Sequence, residues 1–117
     1  MNQNKKSTVD VSAVKEYLER YRVYENLLTH GRRMLTRHPN VLGSKPIDIN
    51  ATKAAMLSIR AFIMTLPDCR EKMMLYYRYL YGRTVEQCAE LLDVSRRTAF
   101  RIYEKALIFA AENYPPR

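Results

Sequence analysis

Apolar residues recur at helical intervals almost from the start of the chain. Val14, Tyr17, Leu18, Tyr21, Tyr24, Leu28 and Leu35 fall at spacings of three, four and seven, the repeat that lines one face of a helix and not of a strand. Asp10 can cap this helix, and Pro39 forbids its continuation. Arg32, Arg33 and Arg37 crowd its last turns, where cations meet the negative end of the helix dipole. Segment 38–50, HPNVLGSKPIDIN, carries two prolines and a glycine and reads as a loop. Asn50 then caps a second helix with the stripe Met56, Ile59, Ile63 and Leu66, which Pro67 ends. Asp68 with Glu71 marks a third start, with Asp in the place of the usual Ser or Thr. Met73, Met74, Tyr77 and Leu80 form that helix's packing face, and Gly82 stops it. Nothing alternates at period two for long enough to make a strand.

The next stretch is the most specific. Thr84 and Gln87 make a capping box for a short helix ending near Leu92. Asp93 tolerates the left-handed conformation a tight break needs. Ser95 is a good N-cap for a last helix, which can run to about Asn113 before Pro115 and Pro116. Two helices joined by so short a turn cross steeply, as in a helix-turn-helix. Small Ala89 suits the crossing point, and Val94 can plug the core from the turn. Projected at ~100° per residue, Ala99, Ile102, Ala106 and Ala110 fall on a packing side. Arg97, Arg101 and Glu104 fall on the other, Arg96 sits at the N-terminal edge, and Phe100 lies on a flank. The expected fold is all-α, an N-terminal helical pair followed by a helix-turn-helix module. The division is a tail over 1–9, a helical region over 10–66 with its loop at 38–50, and the helix-turn-helix unit over 67–117.

Charge sharpens this picture. Twenty Lys and Arg against twelve Asp and Glu give a net +8, which suits a polyanionic partner. An α-helix fits the DNA major groove and reads bases from its N-terminal turns. Arginine can hold guanine O6 and N7 with two parallel bonds, or grip phosphate. The expected contacts to duplex DNA are Ser95, Arg96, Arg97, Thr98, Phe100, Arg101 and Lys105. A solvated basic face is the competing reading of the arginines alone.

Several function classes drop out. No apolar run approaches the ~20 residues of a membrane helix, and the start, MNQNKKSTVD, has no apolar region behind its lysines. No membrane partner is expected, and the location is cytoplasmic by default. Cys69 and Cys88 have no CxxC spacing, and His30 and His38 have no ligand-spaced companions, so neither a metal nor a cofactor is expected. With no Gly-rich phosphate loop, carboxylate cluster or nucleophile triad, an enzyme is not expected either. Among the nine tyrosines, Tyr77 is the expected core member of the group Tyr76, Tyr77, Tyr79 and Tyr81. The others should be half-buried with wet hydroxyls.

The stretch LPDCREKMMLYYRYLYGRTVEQCAELLDVSRRTAFRIYEKAL, residues 66–107, resembles region 4 of bacterial sigma factors. The likeness rests on the LP opening, Arg78-Tyr79 before Gly82, the TVEQCAELLDVS helix and turn, and the closing KAL. It is closer to small phage regulators of the ArpU and RinA type, which often begin with a KEYL-like segment, here Lys15-Glu16-Tyr17-Leu18. The resemblance implies a transcription regulator of a phage or prophage, acting in the cytoplasm of a bacterial host. It puts the base-reading positions on Arg96, Arg97 and Arg101. Housekeeping sigma factors often have Glu at the Arg97 position and Gln at the Arg101 position, so the sequence read should differ from a standard minus-thirty-five element. The chain is too short to hold a promoter-opening region 2 as well.

Three functions remain open: a regulator binding duplex DNA, a DNA-packaging component like a small terminase subunit, and a sigma-like adaptor contacting RNA polymerase. The first helix bears on assembly. Running from about Ser12 to Thr36, it would be roughly 40 Å long at ~1.5 Å per residue, longer than the second helix can cover. Either its end projects, or the leftover face pairs with another copy in a homodimer.

Overall fold

The computed structural model describes residues 10–37 and 48–115, with side chains omitted over 31–37. The tail over 1–9, most of the loop over 38–50, and the side chains of Arg32, Arg33, Leu35 and Arg37 lie outside the described residues. Five helices follow one another, with no strand among the described residues: α1 (Val11–Arg37), α2 (Ile49–Met64), α3 (Arg70–Leu75), α4 (Val85–Leu92) and α5 (Arg96–Glu112). A π-helical segment, Tyr76–Leu80, continues α3.

Local chemistry sets most of the boundaries. The Ala13 amide donates to the Asp10 carboxylate at 3.0 Å, as a cap should. α1 is not one straight rod, however; its backbone leaves helical geometry at His30 (φ −123, ψ 23), immediately before Gly31, a residue that weakens a helix interior. The cap of α2 is Asp48 rather than Asn50. The Ala51 amide donates to the Asp48 carboxylate at 3.0 Å, and the Thr52 hydroxyl donates to the Asp48 carbonyl at 2.8 Å. An anionic side chain two residues earlier captures the positive end of the helix first, and Asn50 is drawn inside the first turn.

Asp68 does not cap α3 either. The chain leaves Pro67 extended through Cys69 (φ −159, ψ 177), which is the N-cap without a side-chain bond. Asp68 therefore sits one residue too early and instead lies 3.8 Å from Lys72. The π-helical segment then changes which tyrosine is core. Its wider turn brings residues five apart onto one face, and the buried pairs are Met74 with Tyr79 and Leu75 with Leu80. Tyr79, not Tyr77, is the buried tyrosine; Tyr77 is half-buried beside Tyr76 and Tyr81.

One continuous buried cluster unites the helices, from Val14 and Leu18 of α1 through Ile59, Phe62 and Ile63 of α2 to Ile102, Ala106 and Ala110 of α5. α1 packs on α2, on α5 and on the π-helical segment, so more than one neighbour covers it. An aromatic trio ties the start of α1 to the end of α2 and to the segment after α5: Tyr17 meets Phe62 edge-on at 5.5 Å and Tyr114 at 5.0 Å between ring centres. Leu27, absent from the sequence stripe, is buried as well.

Candidate nucleic-acid interface

The site begins with the turn that aims α5. Gly82 takes φ +68 after the π-helical segment, and the Arg22 guanidinium from α1 lies against it, where a β-carbon would meet Arg22 Nη2 at 2.0 Å. Thr84 then opens α4 with both halves of a capping box. The Gln87 amide donates to Thr84 Oγ1 at 3.1 Å, and the Thr84 amide to Gln87 Oε1 at 2.9 Å. Asp93 closes α4 in the left-handed conformation (φ 57, ψ 49). The Val94 amide reaches back to the Ala89 carbonyl at 3.0 Å, and the Val94 side chain packs against the core. Ser95 starts α5 by accepting from the Thr98 amide at 3.1 Å, and its hydroxyl donates to that of Thr98 at 2.9 Å.

Ala99, Ile102, Ala106 and Ala110 of α5 are buried, and α5 packs on α3, α4 and α1. The opposite face is thereby fixed outward: Arg96, Arg97, Arg101, Glu104 and Lys105 are exposed. Phe100 keeps 38% of its surface open. Thr98 is half-buried against the cap, and Ser95 is exposed. The seven expected contact residues thus lie on one helix and its cap, over little more than three turns.

Their electrostatics are uneven. Arg96 Nη2 lies 3.1 Å from Glu86 Oε2 of α4, and the Arg96 guanidinium lies 5.8 Å from the Phe100 ring centre. Among the described residues neither Arg97 nor Arg101 has an ion-pair partner. Together with Lys105 they are exposed cations on this face without a counter-charge among the described residues, open to an anion or a polar base edge.

Residues 63–107 match the family model described as Sigma-70, region 4. This match runs from the last turn of α2 to the second-last turn of α5 and takes in every expected contact residue. Sigma-70 region 4 is a DNA-binding helix-turn-helix module, and the turn at Asp93 with its two flanking helices is that motif here. α1 and most of α2 lie outside the match. No curated protein and no solved structure matches the chain.

The sequence reading did not find Glu86 as a neighbour of Arg96. Ten residues separate the two, and only the left-handed turn at Asp93 brings their helices together. It also missed the bond between Tyr79 and Tyr103 hydroxyls at 2.7 Å, which ties the π-helical segment to α5. Burial, together with that bond, pushes the Tyr79 phenol well above the usual tyrosine range.

Proposed function

We propose that the protein is a sequence-specific transcription regulator, phage or prophage encoded, that reads duplex DNA with the N-terminal half of α5. The observation carrying this reading is the pair Arg97 and Arg101. They stand one turn apart on the exposed face of a helix whose other face is locked into the core. Laid in the major groove, that face puts both guanidinium groups at base edges, where each can take guanine O6 and N7 together. Lys105, one further turn along, would reach backbone phosphate, as would the Thr98 hydroxyl at the helix start, with Ser95 holding that hydroxyl in place. The Phe100 ring on the flank can meet a thymine methyl.

In this reading residues 67–117 make the DNA contacts, while 10–66 brace them and offer a surface to a second copy. That surface would be the α1 face around Val23, 50% exposed, because Val14 and Leu18 are already buried within one chain. A phage or prophage origin and a bacterial cytoplasmic setting are supported by the likeness of the Lys15–Leu18 segment and the module together to ArpU and RinA regulators.

The test is binding to duplex DNA over a range of salt. Log affinity should fall against log salt with a slope of roughly −0.9 for each phosphate neutralised. No binding at low salt, or a slope near zero, would favour the sigma-like adaptor that contacts RNA polymerase. A ring-shaped oligomer in solution would favour the packaging component.

A further inference from the structure

We infer that Glu86 is a positioning residue that makes Arg96 a base reader instead of a phosphate contact. The inference rests on the duplex-binding reading above. Its physical basis is the short path Glu86–Arg96–Phe100. One end of the guanidinium is held at 3.1 Å by the Glu86 carboxylate, and its carbon sits 5.8 Å from the Phe100 ring centre. The Arg96 side chain is nonetheless 73% exposed, so its remaining N–H edge faces outward. Both partners stand on rigid supports, Glu86 in the first turn of the boxed helix α4 and Arg96 in the first turn of α5 behind its Ser95 cap.

Two consequences follow for what Arg96 can bind. A phosphate approaching the guanidinium would also approach the carboxylate, and attraction and repulsion would largely cancel. Phosphate binding depends on the cations a protein brings to the DNA backbone, and this arginine brings its own counter-charge. A base edge has no net charge, so the repulsion from the carboxylate is much weaker there. Arginine carries five N–H donors in a planar fork, and the pair with Glu86 uses only one end of it. Reading guanine takes two parallel bonds at a fixed angle, and an arginine anchored at one end and backed by a ring has less freedom to lose on binding. An ion pair this exposed contributes little to fold stability, so removing it leaves the fold for the measurement.

The experiment selects binding sites from random duplex DNA and titrates salt for the full chain and for Glu86→Gln, Arg96→Ala and Arg97→Ala, with thermal melts as the control for folding. Glu86→Gln should bind random-sequence duplex more tightly at low salt and steepen the salt slope by about one. It should also lose preference at one base position, with a roughly tenfold fall in the ratio of specific to random affinity. Arg96→Ala should lose preference at that same position with its salt slope unchanged. The inference is overturned if Glu86→Gln returns the wild-type preferences. It is equally overturned if Arg96→Ala weakens all sequences alike and lowers the slope by about one, since Arg96 would then be a phosphate contact. Arg97→Ala separates the two levels: if it changes the selected sequence while Glu86→Gln does not, only the positioning role fails. If no variant changes the selected sequence, base reading by α5 fails with it.

Discussion

Ser95, Arg97 and Arg101 occupy the same two turns of α5 but carry different duties, and substitution should separate them. Ser95→Ala removes the acceptor of the Thr98 amide and should lower stability by about 1 kcal/mol in chemical denaturation. Arg97→Ala and Arg101→Ala remove exposed side chains with no ion-pair partner among the described residues. Their stability should stay within about ±0.5 kcal/mol, while each loses about 1–3 kcal/mol on the preferred duplex. Gly82→Ala should be destabilising by about 1–2 kcal/mol in chemical denaturation, through the left-handed φ of +68. The Arg22 guanidinium it would meet is the far end of a flexible side chain that can swing aside. At this scale the residues legible in the sequence were those whose partners lie three or four positions away. Thr84 with Gln87, Asp93 in its left-handed turn and Ser95 before Thr98 are local bargains between a side chain and nearby backbone. Glu86 with Arg96 was not legible, because no local rule links residues on separate helices.

The elements show where periodicity misleads. The stripe of α5 was legible because α5 is a regular helix, and Ala99, Ile102, Ala106 and Ala110 are all buried. Of the packing face read for α3 and its continuation, Met74 and Leu80 are buried, while Met73 and Tyr77 are only half-buried. The π-helical segment shifts the phase, so Tyr79 takes the core place expected for Tyr77. Helix starts went astray where two cappers competed. Asp48 prevailed over Asn50, and at Asp68 the extended Cys69 intervened. The displaced tyrosine has a measurable signature. Tyr79 is held neutral by burial and by its bond to Tyr103. Its folded pKa lies above the unfolded value of 10.0, so the neutral phenol's contribution is fully present below pH 10.0 and is lost as pH rises beyond it. Stability measured by denaturant should therefore fall above that pH in the wild type and fall less steeply in Tyr79→Phe. At neutral pH, Tyr79→Phe should cost about 1 kcal/mol for the lost bond.

At the scale of the whole molecule, the shared core decides what the N-terminal helix can do. Of the apolar stripe of α1, Val14, Tyr17, Leu18, Tyr21 and Tyr24 do pack on the core, but Leu27 is buried where Leu28 was expected, and the sequence could not say what packs on the helix. Val14 and Leu18 are spent inside the chain, against a core that includes α2 and α5. Leu18→Asp should place a charge in that core and abolish cooperative folding. Val23→Asp, on an exposed part of α1, should leave the melt unchanged; if two copies pair through this face, the solution mass by light scattering should fall to that of one chain. The central claim, that α5 reads DNA sequence and does not merely supply positive charge, is tested most directly by one selection experiment. Wild type, Arg97→Ala and Arg101→Ala are each offered random duplex DNA at one salt concentration. The account predicts a defined sequence preference for the wild type and a relaxed choice of base at a different single position for each variant. Identical preferences in all three proteins, differing only in overall affinity, would contradict it.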